Sequence, residues 1–206
     1  MDMNVYPTKG NLIRIKSILA LSKQGYELLD KKRNILLREM MELIDKAGVI
    51  QEKIRAVYKQ AYEALQIANI RMGISEVQQL GYAVPEERSV RIQIRSVMGV
   101  EIPSVDIEPN VLSPRYGFLR TNLALDTAYR CFEEVKQLTV EYAEVENSVY
   151  RLANNIRRTQ KRANSLKNVL IPMYERMIKT IQESLEEKER EEFTRLKIIK
   201  KSNINN

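Results

Sequence analysis

Two stretches of this chain repeat apolar residues every 3.5 positions for far longer than a compact domain requires. Steps of four and three from Ile15 fall on Leu19, Ser22, Tyr26, Leu29, Arg33, Leu36, Met40, Leu43, Ala47, Ile50, Ile54, Val57, Ala61, Ala64 and Ala68. Fourteen of these sixteen positions are apolar, counting Ala and Tyr; Ser22 and Arg33 are the exceptions. The same stepping from Ala124 falls on Ala128, Cys131, Val135, Leu138, Tyr142, Val145, Val149, Leu152, Ile156, Thr159, Ala163, Leu166, Leu170, Met173 and Met177, with only Thr159 polar. A period of 3.5 sustained this long wraps helices around one another in a left-handed supercoil. The first stretch, from about Asn11 to Met72, predicts a helix of roughly 90 Å at 1.5 Å per residue. Pro7 and Thr8 precede it as a start signal. Gly25 and Gly48 lie inside it, each at a cost of about 1 kcal/mol relative to Ala.

The composition agrees with a narrow seam rather than a thick core. Of 206 residues, 44% are hydrophobic, 30% charged and 6% aromatic, with 7 Gly and 6 Pro to make turns. The last helical segment is expected from near Arg120 to about Lys197. Pro172 lies within it and removes the bond to the carbonyl of Asn168, so a kink or a break into two helices is expected there. Beyond it, LEEKEREEFTRLK places Glu186 with Arg190, Lys188 with Glu192 and Glu191 with Arg195, opposite charges four apart on a solvated helix.

Residues 74–117 differ in character. Pro85, Pro103, Pro109 and Pro114 and three glycines fall here. Val90, Ile92 and Ile94 alternate with Arg91, Gln93 and Arg95, which is strand periodicity. Met98-Gly99 reads as a turn, followed by VEIPSVDI as a second, edge strand because of its proline. The expected fold is mainly all-α: a long antiparallel two-helix left-handed coiled coil with a small β-hairpin head in the middle of the chain. Its parts are residues 1–73, the first long helix; 74–117, the head with a hairpin at about 89–107; and 118–206, the last long helix. Two helices joined by so short a connection pair only antiparallel, which puts both termini at one end and the hairpin at the other.

Catalytic chemistry finds no residues to carry it. The chain has no His, a single Cys131 and no Gly-rich phosphate loop, so no catalytic, cofactor-binding or metal-binding residues are assigned. Cys131 reads as a small apolar seam residue, and one cysteine fits a reducing cytoplasm. The opening MDMNVYPTKG lacks the apolar core of a signal peptide. No apolar run reaches the ~18 residues a membrane span needs. The net charge of +7 points to an anionic partner: nucleic acid, a membrane surface or an acidic protein cavity. Nucleic acid is the weakest of these, because no aromatic residues interleave with the basic ones. Lys9, Lys16 and Lys23 recur every seven residues on one face. Arg157, Arg158, Lys161, Arg162 and Lys167 form a second basic cluster. Each reads either as a solvated face or as contact with an acidic partner. Arg33 and Ser22 on the seam either fix register or mark a place where the pair opens.

Several stretches go beyond generic coiled coil. NVYPTKGNLIRIKSILALSKQGYELLDKKRNIL (4–36), RYGFLRTNLALDTA (115–128) and EKEREEFTRLKIIK (187–200) closely resemble the D subunit of the V-type and A-type ATP synthases. SVMGVEIP (96–103) and KRANSLKNVLIPMYERMIKTI (161–181) are also similar, so the likeness covers nearly the whole chain in order. It implies a non-catalytic central-stalk rotor shaft that couples ion translocation to ATP synthesis or hydrolysis by transmitting torque. It implies as partners the A and B subunits of the catalytic hexamer, the F subunit of the central stalk and the C or d-type subunit seated on the membrane ring. No cofactor and no nucleic acid are implied, and the membrane is met only through the complex, on its cytoplasmic side. Placed on this chain, Lys9, Lys16, Lys23, Arg195, Ile198, Ile199 and Lys200 are expected in the hexamer bore. Arg91, Arg95, Met98 and Val100 in the head are expected to face the stalk partners.

Overall fold

The computed structural model describes residues 6–84, 89–107, 116–117 and 121–204, the last four of these by backbone alone. Pro85, Pro109, Pro114, the expected helix start near Arg120 and the side chain of Lys201 lie outside the described residues. The elements in chain order are α1 (Lys9–Met72), α2 (Ile74–Gly81), β1 (Val90–Val97), β2 (Val100–Ile107), α3 (Leu123–Ser165), a π turn (Leu166–Leu170) and α4 (Ile171–Ile204). They form two compact units, one of residues 1–34 with 157–206 and one of residues 35–156.

In the first unit the start of α1 is fixed by its cap. Thr8 Oγ1 accepts from the N–H of Asn11 at 3.2 Å, three residues on, which satisfies one of the unpaired donors of the first turn. α1 runs antiparallel to the C-terminal helices, since Lys9 pairs with Glu189, Lys23 with Glu175 and Arg33 with Gln160. Ile15, Thr159, Ala163 and Ile181 are buried between them. Gly25 leaves room beside Leu166, whose Cδ1 would lie 3.8 Å from an added Cβ, an ordinary contact. The expected disturbance at Pro172 takes a definite form. The Ile171 N–H bonds to the Leu166 carbonyl five residues back, so the turn before the proline widens and the helix resumes as α4. One extra residue per turn carries the backbone past the proline ring, a common role of π turns.

In the second unit α1 and α3 are again antiparallel, with Lys46 bound to Glu141 at 3.0 Å and Tyr62 edge-on to Phe132 at 5.6 Å. α1 ends at Met72 because Gly73 adopts φ +93°, a region that other residues rarely enter. The hairpin pairs β1 with β2 in antiparallel register from Val97↔Val100 to Val90↔Ile107. Both residues of its two-residue loop, Met98 (φ 50°) and Gly99 (φ 75°), have positive φ, the requirement of a type I′ turn.

The hairpin packs against the helices of this unit. Val100 and Ile102 bury against Leu36 and Leu152, with Met40, Leu43, Val97 and Ile156 packed around them. That cluster lies at the opposite end of this unit from the Tyr62–Phe132 pair near the connection to α2. Polar contacts complete the seat. Arg151 donates to the Glu101 carbonyl at 3.2 Å, Ser148 to the Pro103 carbonyl at 3.4 Å, and the Val105 N–H donates to Glu144 at 2.7 Å. Since Val97↔Val100 closes the ladder, residues 101, 103 and 105 aim their backbone groups away from β1. α3 therefore serves β2 as a substitute third strand, and Pro103 loses no ladder bond.

This packing makes two substitutions informative. Leu152 is fully buried, so Leu152→Ala is expected to cost about 2–5 kcal/mol in chemical denaturation followed by circular dichroism. Gly48 has nothing within 4 Å of an added Cβ, so Gly48→Ala is expected to stabilise the chain by about 1 kcal/mol in the same assay.

Candidate partner-binding surfaces

The basic residues on the N-terminal part of α1 divide. Lys9 pairs with Glu189 at 2.9 Å and Lys23 with Glu175 at 2.8 Å, both across the helix pair and both well exposed. The hydrogen bond and the charge of Glu189 raise the Lys9 pKa above its ordinary value. Exposed pairs of this kind are screened by solvent and contribute little to stability. Lys16 is exposed and pairs with no described carboxylate. Of the seven-residue repeat, Lys16 alone has no ion pair among the described residues. In the second basic cluster Lys167 sits over the Tyr26 ring at 5.7 Å, a cation–π contact. Arg157, Arg158, Lys161 and Arg162 are exposed and pair with no described acidic residue.

The last turns of α4 carry more apolar surface than the isoleucines alone. Ile198 and Ile199 are 65% and 55% exposed, and Phe193 and Leu196 are 69% and 66% exposed. Lys200 is exposed beside them, and Arg195 lies 3.9 Å from Glu191. Phe193 and Leu196 are legible in the sequence as an apolar pair three apart inside a charged run, a spacing that shares one helix face. On α1, Ile13, Leu21 and Leu28 are 67–70% exposed and lie off the seam steps.

On the hairpin Arg91 and Arg95 are exposed and Met98 sits at its tip, 46% exposed. Val100 does not belong with them. It is 3% exposed and packs inward, because the tight turn puts Val100 and Ile102 on the helix-facing side of β2. Cys131 is half-buried and free. Arg33 is held by Asp30 at 2.7 Å and donates to Gln160 across the pair at 2.8 Å, while Ser22 donates to the Ile18 carbonyl of its own helix. The polar seam residue therefore joins the two helices rather than parting them.

The stretch around Tyr116 folds onto α3. The Tyr116 hydroxyl donates to Asp126 at 2.7 Å and its ring meets Tyr129 edge-on at 6.1 Å. With Leu65, Val77, Leu80, Leu125 and Phe132 it lines a cavity of about 320 Å³. Among the described residues, no three His, Cys, Asp or Glu side chains gather to hold a metal, and no helix is long and apolar enough to cross a membrane.

The chain is a helical hairpin protein that displays apolar and basic side chains on its surface. The chain belongs to the ATP synthase D-subunit family, whose model matches residues 11–201. It is 44% identical over 198 residues to the V-type ATP synthase D subunit of Thermotoga neapolitana, covering 96% of this chain and 98% of that one. It is 36% identical over 201 residues to the A-type ATP synthase D subunits of Desulfurococcus sp. (strain SY) and Thermococcus kodakarensis, in each case covering 96% of this chain and 94% of the relative.

Burial, and then the bond to Asp126, raise the Tyr116 pKa well above the ordinary tyrosine value of 10.0. A raised pKa means the folded state holds the proton more tightly. The stabilisation is whole below about pH 10 and falls as pH rises from there toward the folded value. Tyr116→Phe is expected to cost about 1–2 kcal/mol at neutral pH. The gap between the two proteins should narrow above pH 10 in denaturation curves taken across that range.

Proposed function

We propose that this chain is the central-stalk rotor shaft of a V/A-type ATP synthase, non-catalytic in itself. It transmits torque between an ion-driven membrane ring and the A and B subunits, so that ion translocation and ATP synthesis or hydrolysis are coupled. The observation that carries the reading is α1, 64 helical residues without a break, in a chain of this family. A rotating element must pass twist along its length, and a flexible linker would absorb it. A helix passes it through one hydrogen bond per residue, and the π turn keeps the C-terminal helices hydrogen-bonded through Pro172.

The exposed Phe193, Leu196, Ile198 and Ile199 with Lys16 and Lys200 suit entry into the hexamer bore. The hairpin and its helices suit the F subunit and the C or d-type subunit. A rotor acts on catalytic sites by touching them differently at each angle, since only differential contact shifts a conformational equilibrium. The complex brings the chain to the cytoplasmic face of the membrane.

Removing residues 193–206 tests the placement of the tip. ATP-driven rotation or coupling should fall severalfold while the hairpin cluster at Leu36 and Leu152 stays folded. Undiminished rotation would refute it. Purification of the native complex should bring this chain down with two large nucleotide-binding subunits, and their absence would refute the rotor assignment.

A further inference from the structure

β1 is oriented unlike a strand whose sole task is to hold a hairpin on a helix pair. Its apolar residues Val90, Ile92 and Ile94 alternate on one face, and that face turns away from the helices. Ile92 and Ile94 are 69% and 67% exposed, whereas the buried residues of the sheet, Val100 and Ile102, belong to β2. The two edges of the hairpin differ as well. The outer edge of β2 is covered by Glu144, Ser148 and Arg151 of α3. The ladder register aims the backbone N–H and C=O of Ile92, Ile94 and Ser96 away from β2. Among the described residues no strand pairs with them. Edge strands that stay single are usually short, bulged or broken by proline. β1 is eight residues long, has no proline, and keeps continuous register with β2.

We propose that the outer edge of β1 accepts an extended segment of another polypeptide in which apolar and acidic residues alternate, added as a third strand. The incoming backbone takes the outward groups of Ile92 and Ile94. Its apolar side chains lie beside Val90, Ile92 and Ile94, and a carboxylate lies beside the exposed Arg95 on the other face. Charge selects this occupant over a second copy of the chain. A copy would set arginine near arginine between two chains that each carry a net +7. A docked helix would leave the strand's backbone groups unpaired. The proposal rests on the hairpin's geometry alone and stands apart from the rotor assignment.

The test titrates the full isotope-labelled chain with a ten-residue peptide alternating valine and glutamate. Amide shifts should concentrate at residues 89–97, and the Ile92 and Ile94 amides should exchange more slowly. Ile94→Pro removes one outward N–H and leaves the inward bonds of Gln93 and Arg95 in place. It should weaken the peptide at least about tenfold, the scale of one lost hydrogen bond, while Ile94→Thr stays within about threefold. Arg95→Glu should weaken it severalfold, and unchanged methyl signals from Val100 and Ile102 would show the hairpin intact in each variant. Three results would overturn the proposal: no shifts at 89–97 with millimolar peptide, equal binding by Ile94→Pro, or dimerisation of the free chain that protects the same amides.

Discussion

The structure depends on one interaction, the burial of a narrow apolar seam between α1 and the C-terminal helices in each unit. The seam is uneven. In the second unit Leu36 and Leu152 are fully enclosed, whereas nearer the α2 connection the buried residues are mostly alanines, Ala61, Ala64, Ala68 and Ala128, with Leu125 beside them. A fully buried leucine contributes roughly 1.5–3 kcal/mol, and alanine, with a single methyl, much less. Hydrophobic stabilisation is therefore concentrated where the hairpin sits. Val100 and Ile102 add the layer that a two-helix pair lacks, and Leu36 and Leu152 become core residues only because β2 covers them.

The seating of β2 on α3 rests on a match of repeats. Alternate residues of a strand advance about 6.6 Å, and three or four residues of a helix about 5 Å. Glu101, Pro103 and Val105 thus meet Arg151, Ser148 and Glu144 in turn. One edge of a two-stranded sheet is closed by side chains. A polar residue such as Ser148 can then be 2% exposed without loss, because its hydroxyl donates to the strand.

Much of this is legible in the heptad steps. All six buried residues of α1 fall on the expected positions, its end at Met72 follows from Gly73, and the turn is readable in Met98-Gly99. The misses have physical causes. Leu125 and Ser148 are buried off the steps because a third element lies over α3 at each place, and a two-helix period cannot register a third body. β1 and the start of β2 show the same alternation, so periodicity does not say which strand faces the helices; Val100 therefore reads in the sequence as a surface residue. Lys9 and Lys23 look free there because their partners, Glu189 and Glu175, are more than 150 residues away in the chain.

Apolar seams have a weakness that the polar residues correct. A slide by seven residues sets aliphatic side chains against aliphatic side chains again, so burial alone discriminates poorly between registers. Arg33 discriminates. In the native register it finds the Gln160 side-chain Oε1 at 2.8 Å, and Gln160 Nε2 in turn donates to Asn164 Oδ1. A slip of one heptad would set it against Ala153, which offers no side-chain acceptor, or Lys167, which repels it. The slip loses the bond across the pair, while Asp30 and Asn34 on its own helix still hold the guanidinium. The same slip sets Lys23 against Asn168 or Gln182 in place of Glu175. Twist can pass from one helix to its partner only if the pair does not slide, and the Arg33–Gln160 and Lys23–Glu175 contacts add to the apolar seam in favouring the native register.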